Sequence, residues 1–233
     1  MKKYIKLILF LLFIAFIFLL IFNVSRRISL NNFLDKTIAT EKKINYSTTI
    51  NLDISNSINS SRIEYDIVVS PSAKKITINN YINNEFMNSI YKYNVLNGEK
   101  KGIYKYDGKK YIKTNEEKDE FNINYDSLKK NIISIKKIEN IVIDDISYKK
   151  YVVKMKAYDA YNIIYNDDIL KKEDINKNID VTIIIDKSNK FVYKISYKID
   201  NINNSKQAGM AMEYNAEIIN KDINNHNIIE LPF

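Results

Sequence analysis

Residues 44–54 read Ile-Asn-Tyr-Ser-Thr-Thr-Ile-Asn-Leu-Asp-Ile, so that Ile44, Tyr46, Thr48, Ile50, Leu52 and Ile54 share one side and Asn45, Ser47, Thr49, Asn51 and Asp53 the other. A helix would scatter these two sets around its circumference, whereas a strand, whose side chains alternate faces, collects them. The segment therefore predicts a strand with one buried and one solvated face, the usual condition of an antiparallel sheet. The pattern recurs along the chain. Ile63, Tyr65, Ile67 and Val69 oppose Arg62, Glu64 and Asp66. Tyr151, Val153 and Met155 follow, then Val181, Ile183 and Ile185, then Phe191, Tyr193, Ile195, Tyr197 and Ile199 against Lys194, Ser196 and Lys198. A last long strand carries Met210, Met212, Tyr214, Ala216 and Ile218 opposite Glu213, Asn215 and Glu217.

Turn chemistry joins these strands to their sequence neighbours. Asp107-Gly108 predicts a two-residue type I′ hairpin that sets Tyr104 opposite Tyr111, because both central residues of that turn take positive φ. Asn97-Gly98 and Asp186-Lys187-Ser188-Asn189 mark two further turns. Three helical signals interrupt the meander. Ser29 is placed to cap a helix with Leu30, Phe33, Leu34 and Ile38 on one face, and Asp126 a helix with Leu128, Ile132 and Ile135. A weaker signal runs from Asp159 through Ala160, Ile163 and Ile164. Helices that interrupt a meander cover one face of its sheet. The expected fold is thus mainly β (α+β), a curved antiparallel half-barrel with two or three covering helices.

Upstream, residues 7–22 are all apolar and follow Lys2, Lys3 and Lys6. With only Asn23 interrupting, the run reaches Val24, and as a helix it measures about 27 Å against a hydrocarbon core of roughly 30 Å. Secretory signals have shorter apolar regions ending in small residues spaced A-x-A. Here Ala15 is the small residue within the run, and a cut after Ser25 would place Asn23 at the third position before it. These features favour an uncleaved anchor, with a cleaved signal as the alternative. Three lysines precede the span and Arg26 and Arg27 follow it, which favours a cytoplasmic N-terminus and an exported body. The expected organisation is a short cytoplasmic tail and single transmembrane helix over 1–27 and an exported β-rich domain over 28–233, at the cell membrane.

Charge and composition exclude several function classes. Lys2, Lys3, Lys6, Arg26 and Arg27 flank the span and supply five of the +8 formal charges. The remaining lysine pairs are dispersed, so no clustered basic face for nucleic acid is expected. The chain has no cysteine, hence no disulfide framework, no thiolate metal site and no cysteine for lipid attachment. His226 is the sole histidine, in a polar Asn-rich stretch, and reads as a surface loop residue. Asp144-Asp145 and Asp167-Asp168 read as solvated loop acids and do not match a calcium loop. Only four glycines occur, too few and too scattered for a phosphate-cradling loop. No catalytic residue, metal site or cofactor is expected.

The order of these elements resembles a family. An exported N-terminus and a short amphipathic helix lead into Ile44–Ile54, followed by the Tyr-rich run Ile103-Tyr104-Lys105-Tyr106-Asp107-Gly108-Lys109-Lys110-Tyr111 and helices near Asp126 and Asp159. The order continues through Val181–Ile185 with Asp186-Lys187, Phe191–Ile199, Met212-Glu213-Tyr214-Asn215 and the closing Ile228-Ile229-Glu230-Leu231-Pro232. Across nearly all of residues 29–233 it resembles the LolA/LppX-type fold of bacterial envelope proteins, a half-closed antiparallel barrel around a hydrophobic cavity. The resemblance implies handling of lipids, lipoproteins or other apolar ligands outside the cytoplasmic membrane.

Tyr65, Tyr104, Tyr106, Tyr193, Tyr197 and Tyr214 are the candidate cavity-lining residues, since tyrosine joins an apolar body to a polar tip suited to an amphiphile. Core packing is the competing account of each. The functional expectation is a membrane-anchored extracytoplasmic binding protein for a lipid, lipoprotein or other apolar ligand. The alternative is a non-catalytic envelope interaction or sensor domain with a filled barrel and a protein partner.

Overall fold

The sheet grows outward from the strand that begins the alternating pattern. β1 (Tyr46–Ser55) pairs antiparallel with β2 (Ser60–Val69) on one side and β11 (Ala211–Lys221) on the other. In this computed structural model, which describes residues 2–115, 122–164, 175–203, 211–224 and 229–231, the remaining strands extend that centre in both directions. β3 (Ala73–Ile82), β4 (Glu85–Val95), β5 (Gly102–Tyr106) and β6 (Tyr111–Lys113) continue beyond β2. β10 (Phe191–Asn203), β9 (Asn178–Asp186), β8 (Ile146–Lys156) and β7 (Ser134–Ile143) continue beyond β11. Among the described residues eleven strands thus make one open antiparallel sheet in the order β6-β5-β4-β3-β2-β1-β11-β10-β9-β8-β7.

Register carries the apolar set across the sheet on one face. Ile50 sits opposite Tyr65 and Ile218, Ile218 opposite Ile195, Ile195 opposite Ile183 and Ile183 opposite Tyr151. All are buried. Among the described residues three helices contribute to the cover of this face: α1 (Lys2–Glu41), α2 (Tyr125–Asn131) and α3 (Ala157–Tyr161). Leu30 and Leu34 of α1, Leu128 of α2 and Ala160 of α3 close over the sheet with Ile163, Ile164 and Ile175.

The first helix departs from the sequence expectation. It does not begin at Ser29; it runs unbroken from Lys2 to Glu41. No glycine or proline lies in that stretch, so nothing stops propagation from the apolar run into the amphipathic part. The Ser29 hydroxyl, freed from a capping role, lies 3.0 Å from the Tyr151 hydroxyl. In α2 the N-cap is Asn124, whose side chain accepts from the Ser127 amide at 2.8 Å, while Asp126 lies in the first turn. That helix stops at Asn131, and Ile135 belongs to β7.

The Asp107-Gly108 hairpin also differs in register. Tyr106, not Tyr104, is the neighbour of the turn that meets Tyr111, and Tyr104 faces Lys113. The Asp107 carboxylate accepts from the Lys109 and Lys110 amides at 2.9 and 2.8 Å. This side-chain turn stabilises a loop of four residues, closed by the Asp107 amide donating to the Lys110 carbonyl at 3.1 Å. Gly108 has φ +100, and a Cβ placed there would meet nothing within 4 Å, so its requirement is purely one of backbone conformation. Gly108→Val is expected to cost about 1–2 kcal/mol, the penalty of positive φ on an L-residue, read as a lowered denaturation midpoint.

Asp144 and Asp145 have φ 47 and 63 and form the exposed β7–β8 turn. Asn83 and Asn84, with φ 49 and 65, do the same between β3 and β4. Asn and Asp tolerate this left-handed region better than other non-glycine residues, which gives both pairs a local conformational role. His226, Asp167, Asp168 and Met210 lie outside the described residues, as do Ile228 and Pro232.

Candidate functional site

The site is the covered apolar face, and it divides the six candidate tyrosines equally. Tyr65 on β2, Tyr197 on β10 and Tyr214 on β11 are buried beneath the helical layer. Tyr104, Tyr106 and Tyr193 lie on the opposite face, which corrects the expectation that they point inward. For Tyr104 the cause is register: Ile103, opposite Asn94, turns to the core, and Tyr104 joins Tyr93 on the outer side. Tyr106 shares that outer side, 38% exposed, with its hydroxyl donating to the Gly108 carbonyl at 3.0 Å. For Tyr193 the cause is a bulge between Val192 and Lys194 that buries Phe191 and Val192 together. A bulge breaks the two-residue period, so the face assignment reverses across it. Tyr193 instead stacks on Tyr148 with ring centroids 4.6 Å apart.

Sequence reasoning missed two tyrosines that reach the interior from helices, Tyr125 on α2 and Tyr161 on α3, and left Tyr46 and Tyr151, read on apolar strand faces, out of the candidate set. Tyr161 packs edge-on against Tyr214 at 5.5 Å, and Tyr214 lies 6.1 Å from Tyr197. The result is a trio of rings under α3. Burial pushes the Tyr197 pKa well above the ordinary phenol value.

A buried polar network holds the cover on the sheet. Asn220 of β11 accepts from the Thr48 hydroxyl at 2.7 Å and donates to the Tyr125 hydroxyl at 2.8 Å and the Val192 carbonyl at 2.7 Å. The Val192 amide in turn donates to the Thr37 hydroxyl of α1 at 3.1 Å, which donates to the Phe33 carbonyl. Thr37, Thr48, Tyr125 and Asn220 are all buried. Asn220 continues the inward series Tyr214, Ala216, Ile218, so a polar residue at an inward strand position was the available signal.

Glu41 closes α1 beside this network. Burial pushes its pKa from the ordinary 4.5 up to about 7; nearby Lys42 and Lys74 oppose the shift and Asp126 adds to it. A carboxylate in the last turn also faces the negative end of the helix dipole. With a folded-state pKa above the unfolded one, the associated stability is full below about pH 4.5 and is lost as pH rises through about 7. Glu41→Gln is therefore expected to match the parent at pH 4.5 and to exceed it at pH 8 by about 1–2 kcal/mol, after allowance for partial solvent screening. Thermal melts of both proteins across that range check it; a pH-independent difference contradicts it.

A hollow of about 520 Å³ opens on the other, polar face of β2, β1, β11, β10 and β9, lined by Asn51, Asp53, Arg62, Glu64, Asp180, Lys198 and their neighbours. Two of its charged residues are engaged in surface pairs, Arg62 with Glu64 at 3.3 Å and Lys198 with Glu213 at 2.9 Å. Its lining is more polar than apolar. The covered face is the better candidate because its lining is mainly apolar.

No family model matches the chain, and no curated protein matches it either. Among solved structures, LprF from Mycobacterium bovis superposes with a TM-score of 0.51 at 12% identity, covering 87% of this chain and 96% of that one. The fold is LppX-like. The Mycobacterium tuberculosis lipoprotein LppX gives a TM-score of 0.51 at 11% identity over 87% of this chain and 98% of its own. Identity at this level concerns the fold alone. The LppX-like architecture supplies an open sheet with a covered concave side, and the residues in that concavity belong to this chain.

Proposed function

We propose that the chain is a membrane-anchored extracytoplasmic binding protein for a lipid, lipoprotein or other apolar ligand, held between the sheet and its helical cover. One observation carries the reading: the Tyr197 and Tyr214 rings, 6.1 Å apart, bring two buried hydroxyls into a mainly apolar face roofed by helices. A polar point within an apolar enclosure is what an amphiphile with one polar group requires. Because side chains from sheet and helices meet across this face, entry requires the cover to move outward. The N-terminal apolar helix supplies the anchor, with residues 1–27 as tail and span and 28–233 as the working domain outside the cytoplasmic membrane. The close packing of the interior favours a second reading, a non-catalytic envelope interaction or sensor domain with a filled barrel.

The reading is tested by extracting the 233-residue protein from washed membranes and analysing bound lipid by mass spectrometry. The expected result is retention through a carbonate wash and a lipid that co-purifies through detergent exchange. A cleaved N-terminus near Ser25 in the soluble fraction would remove the anchor from the account.

A further inference from the structure

Where α1 leaves the sheet, the domain starts without a linker. Arg26 lies over the Phe22 ring at 4.0 Å, and one residue later the Arg27 guanidinium donates to the Ile132 carbonyl at 3.0 Å. Val24, the last apolar residue of the span, is three residues from Arg27, about 4.5 Å along a helix axis. The polar layer on each side of the hydrocarbon is roughly 5–7 Å deep. The corner between α2 and β7, bonded to Arg27, therefore falls within that layer whenever the span is embedded.

The chemistry of the corner suits that position. Ile28 is 54% and Ile133 46% exposed, so apolar surface continues past the span onto the domain. Arg26, Arg27, Lys129, Lys130, Lys136 and Lys137 occupy residues 22–34 and 127–138, and neither stretch contains an acid. Lys129 and Lys136 pair with Asp35 and Asp180 from elsewhere in the chain, and Lys137 pairs with Glu139 at 2.7 Å, yet its side chain stays 63% exposed. β7 is one edge of the sheet and β6 the other, and Arg27 ties the anchor to the β7 side.

We infer that the α2–β7 corner is a second membrane contact, a seat for anionic phospholipid headgroups in which Arg26, Arg27, Lys130 and Lys137 meet phosphate and Ile28 and Ile133 enter the interface. This rests on the anchor reading. The seat holds the sheet by its β7 edge, and the unbroken α1 transmits that position to the cover, since the same helix supplies Leu30, Leu34 and Thr37. Juxtamembrane basic residues attract anionic lipid and interfacial apolar side chains deepen the contact.

The cysteine-free chain permits a direct test. Ile133→Cys and Lys110→Cys variants of the full chain, each carrying an environment-sensitive fluorophore, are reconstituted into phosphatidylcholine vesicles with or without phosphatidylglycerol and a headgroup spin label. Quenching at position 133 is expected to exceed that at position 110, near the β6 edge, several-fold. Adding phosphatidylglycerol increases it, and Lys130→Glu with Lys137→Glu lowers it. Equal quenching at the two positions in protein that survives a carbonate wash overturns the seat alone. Protein that leaves the vesicles in that wash overturns the anchor and the seat with it.

Discussion

Replacing Asn220 with alanine is expected to destabilise the domain by about 3–5 kcal/mol, because one deletion orphans three buried groups whose separate desolvation costs run to about 1–3 kcal/mol each and do not simply add. The groups are the Thr48 hydroxyl on β1, the Tyr125 hydroxyl on α2 and the Val192 carbonyl on β10. Through the Val192 amide the same junction reaches Thr37 on α1, so the loss loosens two covering helices together. Asn220→Asp should be no milder near neutral pH, since the Tyr125 hydroxyl can turn to donate to the carboxylate but the Val192 carbonyl is left facing a buried charge. Urea unfolding gives the measure: the midpoint falls while the slope is retained. A loss below about 1 kcal/mol would mean that the network forms without holding the cover.

Tyr214→Ala is expected to cost about 3–5 kcal/mol, the range for truncating a large buried aromatic ring. Tyr214 is 2% exposed and touches the rings of both Tyr161 and Tyr197, so no other side chain is free to fill the gap without moving α3. Tyr214→Phe keeps the ring and removes only the hydroxyl, and about 1 kcal/mol is expected. Calorimetric unfolding of the two variants separates ring packing from the polar contact. Equal losses would place the stability in the hydroxyl pair and not in the aromatic trio.

Much of the fold is legible where apolar and polar residues alternate cleanly, as in β1, β2 and β8 to β11. Three strands are not. β4 sets Asn88, Lys92 and Asn94 on the same face as Ile90, and β3 sets Lys74 and Asn80 beside Ile76 and Ile78. Polar residues at inward positions erase the period-two signal although the strands are regular. β7 carries a register shift between Ile135 and Lys137, and Ile135 also fits the helical spacing of Leu128 and Ile132. The candidate site is half legible for a related reason. Alternation assigns residues to two sets without saying which set faces inward; neighbouring register decides, as Asn94 and Ile103 do for Tyr104. Tyr125 and Tyr161 escape notice because they enter the interior from helices, whereas alternation marks only strand faces. The separate helix start expected at Ser29 fails because a good N-cap residue caps only where the preceding chain is not already helical.

The central claim, that the covered face receives an apolar ligand, is tested most directly by titrating the purified protein with a fluorescent fatty acid. Tyr104→Phe on the outer face serves as control, alongside Tyr197→Phe and Tyr214→Phe. Saturable uptake by the parent and by Tyr104→Phe is predicted, with weaker uptake by the two interior variants at nearly parental stability. A parent protein that unfolds cooperatively yet takes up no probe would contradict the claim and leave the filled-barrel interaction domain as the function of this fold.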